Sequence, residues 1–255
     1  MTKSLKQLPF IICLGFLMHS CSYKPISYQP TTMQIPEPAK KGEVSFLGTM
    51  GLRHLEVQAA FAPVDRLVLQ GSFFTWTRGS TGNRVSRSLG LGYVMPLGAN
   101  QQLGFRAIYS GNEGFFDDKI YTDKSNNRFI SYFNDYRYRT FGFQLDYTLK
   151  FKNFNFCFGS QFSRANYIRA FMRESSELYL YPNGPFLYNH ERENFSTNFI
   201  QTSAGIQLKL SNFVSFYTCY TTTSIANPAI NPTEGFRHSF DRFFISNSLI
   251  FTLRK

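Results

Sequence analysis

Four charged residues, Glu56, Arg106, Asp146 and Lys150, each interrupt a series that is otherwise small or uncharged. Held on one side of a structure, such groups either pair with one another or, spaced around an opening, set an ion preference. Three histidines beyond the N-terminal segment, His54, His190 and His238, offer acid–base chemistry. His54 stands two residues from Glu56, and His238 is followed by Ser239 and Asp241, residue types from which a hydrolytic site can be assembled. The same types meet on many surfaces, so the set alone does not establish catalysis, and a non-enzymatic protein is expected. No phosphate-cradling glycine loop, zinc-ligand spacing or nucleophile elbow occurs, and neither cofactor nor metal is expected. Arginines recur at Arg78, Arg84, Arg87, Arg137, Arg139, Arg164, Arg169 and Arg173. Their planar guanidinium groups suit phosphate.

The chain carries 27 Lys and Arg against 16 Asp and Glu, a net charge of +11, which raises nucleic acid as a partner. The N-terminus argues against it. Lys3 and Lys6 form a basic start, and Leu8 to Met18 form an apolar stretch too short to span a bilayer. Ser20-Cys21 follows, and the arrangement resembles the lipobox of bacterial lipoproteins, although Met18 and His19 depart from the usual residues there. The resemblance implies removal of residues 1–20 and acylation of Cys21. Residues 21–42 then read as a tether, with Pro25, Pro30, Pro36 and Pro38 favouring an extended form. In lipoproteins of this type an acidic run after the Cys accompanies surface export, so with Lys24 and no such run here the resemblance implies an anchor in the periplasmic leaflet. Only Cys157 and Cys219 remain for the folded part, too few for a disulfide framework.

The elements that must position these groups begin at Glu43. With 29 Phe and 15 Tyr, the chain has far more aromatic surface than a disordered segment, while a mean hydropathy of −0.24 excludes a bundle of membrane helices. The period is two. Phe141, Phe143, Leu145, Tyr147, Leu149 and Phe151 fall on one face and Gly142, Gln144, Asp146, Thr148 and Lys150 on the other, a segregation no helix achieves. Phe154, Phe156, Phe158 and Phe162 repeat it after a two-residue turn at Lys152-Asn153, predicting a hairpin. Similar alternation runs through Leu55 to Phe61, Leu89 to Met95, Leu103 to Tyr109, Thr202 to Leu210 and Ile245 to Leu253.

The opposite face is Gly, Ser, Gln and Asn with isolated charges. A soluble sandwich would show Lys, Glu and Thr there, whereas small polar groups suit the interior of a narrow barrel whose apolar face meets lipid. Short connections near Pro63–Arg66, Leu97–Gln101, Lys152-Asn153 and Ser211-Asn212 alternate with long ones near Thr77–Asn83, Gly111–Asp135, Ala170–Asn194 and Ala226–Arg237. The pattern of residues 43–255 resembles small bacterial outer-membrane barrels of the OmpA, OmpX and OmpW type, although the chain ends on Arg254-Lys255 instead of an aromatic. The expected fold is therefore all-β: an antiparallel up-and-down transmembrane β-barrel of about ten strands, eight being the lower alternative, with short periplasmic turns and long external loops.

In such a barrel Glu56, Arg106, Asp146 and Lys150 become a luminal charge network that plugs the interior. Arg87, Arg137, Arg139, Arg164 and Arg169 fall toward the outer half, where lipopolysaccharide phosphates lie. Cys157 and Cys219 point inward on strands two apart, about 10 Å, too far for a disulfide. Aromatics of the long connections, among them Phe115, Phe133, Tyr179 and Tyr181, are expected to pack loops together, line the interfacial girdle or form a binding patch. The expected role is structural or interactive, with an outer-membrane protein partner contacted through the loops. A small pore and a soluble lipocalin-like barrel for an apolar ligand are the alternatives, and the polar inner face opposes the second.

Overall fold

A computed structural model of the chain describes residues 38–50, 54–77, 82–123, 128–176, 186–225 and 243–253. They form ten strands: β1 (Val44–Met50), β2 (His54–Val64), β3 (Leu67–Thr77), β4 (Gly82–Pro96), β5 (Gln101–Asp123), β6 (Arg128–Lys150), β7 (Phe154–Ser176), β8 (Phe186–Lys209), β9 (Val214–Ile225) and β10 (Phe243–Leu253). Each pairs antiparallel with its neighbours in sequence, and β1 pairs with β10, closing an up-and-down barrel. Closure leaves no strand edge unpaired, the condition under which a sheet can cross hydrocarbon.

The parity read from the sequence holds. Phe143 is 58% exposed while Gln144 and Asp146 are 3% and 2% exposed, so the apolar face points out and the polar face points in. Outward Phe46, Val57, Leu69, Leu91, Phe105, Leu145, Phe158, Ile206 and Leu249 continue this belt around the barrel. Along β6 and the residue that follows it the belt runs from Phe141 to Phe151, about 25 Å measured along the barrel axis for strands tilted near 45°, the height of a bilayer's hydrocarbon region. Water would meet this surface at a cost proportional to its area, so a lipid surround is the environment that the fold demands.

The strands are of unequal length. β1 has 7 residues and β10 has 11, whereas β5, β6 and β7 have 23 each and β8 has 24. Twenty-three residues extend about 75 Å, or about 55 Å along the axis, so β5 to β8 rise as a wall well beyond the apolar belt. Two connections expected as long loops, Gly111–Asp135 and Ala170–Asn194, are thus mostly strand. Above the belt the outward face no longer has to be apolar, so the alternation that marks a membrane strand fades although the backbone pairing continues.

The short connections form the opposite end. Phe151 and Phe154 are joined by a backbone hydrogen bond of 2.8 Å across Lys152-Asn153, as the hairpin reading requires. The end of the expected tether also docks here. Backbone N–H groups of Ala39 and Lys40 donate to Glu43 Oε2, that of Lys41 donates to Asp65 Oδ1, and Ala39 packs on buried Ala60, Val68 and Val94. Residues 38–42 are therefore part of the barrel floor. The register Val44 opposite Leu253 brings the chain's entry and exit to this same end.

Candidate functional sites in the lumen and on the outer wall

The lumen is narrow, and glycines make room for its large side chains. In one row across the sheet Gly92 faces Arg106, which faces Gln144; in another Gly104 faces Asp146, which faces Gly159. A Cβ at Gly92 would collide with the Arg106 stem, and one at Gly104 would overlap the Asp146 carboxylate. Arg106 Nη2 donates to Asp146 Oδ1 in a buried ion pair, both side chains 2% exposed or less. Arg106 Nη1 donates to Gln70 Oε1 at 2.9 Å, and Gln144 Nε2 donates to Asp146 Oδ1 at 3.0 Å. Four side chains from β3, β5 and β6 thus bridge the lumen, and the two glutamines offset part of the desolvation that the pair incurs.

A second tier lies toward the long-hairpin end. Inward Tyr138, Tyr167 and Phe195 share one row, with ring centroids 4.8 Å apart for the first pair and 4.5 Å for the second, the latter stacked. Tyr136, Ala165, Ala170 and Phe199 complete a buried cluster with them. Arg84 also turns inward, its guanidinium carbon 4.8 Å from the Trp76 ring centroid. A water-lined channel would expose the residues around it. Instead Glu56, Gln58, Arg106, Asp146, Gln144 and Gln201 are all 3% exposed or less, so the barrel is filled at this depth.

Of the four charges predicted to form one network, two bond to each other directly. Arg106 and Asp146 pair. Glu56 is buried in the same lumen and accepts a hydrogen bond of 2.7 Å from Gln58 Nε2 on its own strand. Lys150 lies four residues along β6 from Asp146, half-buried beside the short turns, with its backbone N–H donating to Asn100 O. Gln70 completes the site without having been signalled by any segment read from the sequence, while Gln144 was visible as a member of the polar face. Burial removes Glu56 from any rim site. His54 begins β2 opposite Trp76, and His190 belongs to β8. His238, Ser239 and Asp241 lie outside the described residues, as do Cys21, Arg78, Tyr179 and Tyr181.

Cys157, Gly205 and Cys219 share a row across β7, β8 and β9. Both cysteines are buried and free, as the two-strand separation requires. Of the aromatics expected in the long connections, Phe133 packs edge-on to Phe171 at 5.7 Å, and Phe115 is 38% exposed on the outer face.

Arg87, Arg137, Arg139, Arg164 and Arg169 all face outward on the wall, immediately above the apolar belt. Three rows can be read from the register. The upper is Val85–Glu113–Arg137–Arg169–Glu193, the middle Arg87–Gly111–Arg139–Asn166–Ser196, and the lower Leu89–Tyr109–Phe141–Arg164–Asn198. Arg137 and Arg169 face one another directly, and nearby acids relieve the repulsion: Glu113 lies 3.4 Å from Arg137 and Asp135 lies 3.8 Å from Arg169. A bulge at Ile168 makes the rows possible, since it brings both Arg164 and Arg169 to the outer face. Arg164 donates to Ser196 Oγ at 3.0 Å.

No protein-family model matches the chain, and no curated protein matches it. Solved structures with a similar course include the outer membrane protease OmpT from Escherichia coli, at 11% identity and a TM-score of 0.43 over 82% of this chain and 90% of that one. The CymD monoaromatic hydrocarbon channel gives 8% and 0.39 over 84% and 67%, and the translocator domain of the autotransporter NalP from Neisseria meningitidis gives 9% and 0.36 over 82% and 85%. The three do different things, and at such overlap the likeness assigns none of their activities to this chain.

Proposed function

We propose that this is a closed, non-enzymatic outer-membrane barrel, held additionally by lipid at Cys21, that serves as a structural or interaction component. The filled lumen is the observation that carries the reading: Arg106 and Asp146, which would have to line a conduit, are buried against each other and against Gln70 and Gln144. An apolar ligand of the lipocalin kind has no room at this depth and would meet glutamines and charges. What the fold leaves available is its outer surface. The tall wall of β5 to β8 is the surface on which an outer-membrane protein partner would dock, its two long hairpins taking the place of flexible loops. The short-turn end, where the chain enters at Pro38, faces the periplasm in this reading, and a tether from Cys21 reaches the inner surface of the outer membrane from there.

Two measurements test the proposal together. Purified protein in planar bilayers is expected to give no steady conductance, while fractionation of a Cys21→Ala variant is expected to leave a heat-modifiable, compact band in the outer membrane. Stable single-channel steps that change selectivity on Arg106→Gln would replace this reading with the pore. Release of the Cys21→Ala variant into the soluble fraction would show that the lipid was the sole attachment.

A further inference from the structure

The middle row of the wall contains a glycine that the fold does not explain. Gly111 lies within β5 on the outer face, its φ is outside the left-handed region, and a Cβ built on it would meet nothing within 4 Å. Glycine within a strand costs about 0.5–1 kcal/mol relative to alanine, and it marks places where something outside the sheet comes close to the backbone. Gly111 is flanked across the sheet by Arg87 on one side and Arg139 on the other. Neither arginine has an ion-pair partner among the described residues, in contrast to Arg137 and Arg169 one row above. The two Cα positions are two strand spacings apart, about 10 Å, a gap that two guanidinium groups can close around a single tetrahedral anion.

The surroundings say what the anion belongs to. A groove of about 340 Å³ runs over Gly111, bordered by Val85, Arg87, Arg137, Arg139 and Ile168, with Glu113 at its upper edge. Three cations against one carboxylate leave it positive. Directly beneath, in the next row down, are Leu89, Tyr109 and Phe141, exposed by 71%, 50% and 46%. A positive groove floored by bare backbone and continuous with the lipid-facing belt matches the chemistry of a phosphate joined to acyl chains. Resting on the membrane-barrel reading above, we propose that Arg87 and Arg139, with Arg137, form a binding site over Gly111 for the phosphate of a phosphorylated glycolipid in the outer leaflet. The acyl chains lie on Leu89, Tyr109 and Phe141, and Arg164 at the end of that row adds a further donor at the headgroup boundary. Arg169 of the upper row is opposed by Asp135 and lies outside the groove, whereas Arg137, 3.4 Å from Glu113, borders it beside the middle-row pair.

The test uses full-length protein in phosphatidylcholine vesicles doped with diphosphoryl lipid A, with lipid retention after detergent extraction read by native mass spectrometry. Wild type is expected to retain lipid A, and Arg87→Gln/Arg139→Gln to weaken retention at least tenfold. Gly111→Leu, which fills the groove without altering charge and places an apolar side chain beside the belt, is expected to do the same. Arg169→Gln, removing a cation already opposed by Asp135, should stay within twofold. Heat-modifiable mobility of every variant reports that the barrel is intact. Inorganic phosphate at millimolar concentration should not displace the lipid; displacement would make this a free-phosphate site and overturn the lipid assignment. Unchanged retention in an inserted, folded Arg87→Gln/Arg139→Gln protein would overturn the site alone, whereas alkaline release of wild type from the vesicles would overturn the membrane-barrel reading and the site with it.

Discussion

Replacing Asp146 by alanine strips Arg106 of its carboxylate at a point where neither side chain is more than 2% exposed. Removing one member of a buried pair leaves the other charge uncompensated and costs about 3–5 kcal/mol, even with Gln70 still bound to the guanidinium. Gly104→Ala attacks the same contact from the other side, because the added Cβ occupies the place of the Asp146 carboxylate. Overpacking of this sort costs about 1–3 kcal/mol, and displacing the ion pair puts Gly104→Ala at the top of that range. In an Asp146→Ala background the space is vacant, so the same change should cost below about 1 kcal/mol. The cycle then shows a coupling of about 2 kcal/mol, well beyond the few tenths expected of independent sites. Trp76 is the only tryptophan and lies against Arg84 inside the barrel, so its fluorescence in urea, with protein in lipid vesicles, reads the unfolding directly. A cost for Asp146→Ala under about 1 kcal/mol, or equal costs of Gly104→Ala in both backgrounds, would show that the pair does not organise the lumen as described.

The belt predicts a depth dependence. Phe143→Arg, at an outward position 58% exposed in mid-belt, should destabilise by about 2–4 kcal/mol in vesicles, whereas Val85→Arg, outward in the upper row, should cost about 1 kcal/mol or less; equal effects would contradict the assigned lipid boundary. Tyr167→Ala removes a ring packed between Tyr138 and Phe195 and should cost about 3–5 kcal/mol, read by the same urea titration. Cys157 and Cys219 should stay unlabelled by a maleimide in the folded barrel, label on heating, and fail to cross-link under a mild oxidant, since their Cα atoms are about 10 Å apart, beyond disulfide reach.

The parts legible in the sequence are those on which lipid imposes a rule. Phe141 to Phe151 and Phe154 to Phe162 alternate because each outward residue faces hydrocarbon, and the closed ten-strand barrel follows from that repetition. Where the same strands leave the belt, water replaces lipid outside and the rule lapses; Gly111 to Asp123 and Arg128 to Asp135 then look like loop although their pairing continues to Asp123 opposite Arg128. Parity was equally exposed to a local event. Counting by twos sends Arg164 and Arg169 to opposite faces, and the bulge at Ile168 reverses that for everything above it, a shift with no period in the sequence to announce it.

The luminal site was half legible for a related reason. A charge on the small face can be assigned to the interior, as Glu56, Arg106 and Asp146 were, but which of them meet depends on the stagger between strands, which no single strand's pattern records. Gln70 reaches Arg106 from two strands away, and Lys150 stands two inward steps closer to the turn than Asp146. The glycines carry the missing information in steric form. Gly92 and Gly104 lie directly opposite Arg106 and Asp146, so each member of the luminal ion pair is matched by an empty position on the adjacent strand. Gly111 breaks that correspondence. It stands on the outer face with no side chain pressing on it, between two arginines that pair with no acid among the described residues, and the volume it leaves belongs to something the protein does not itself supply.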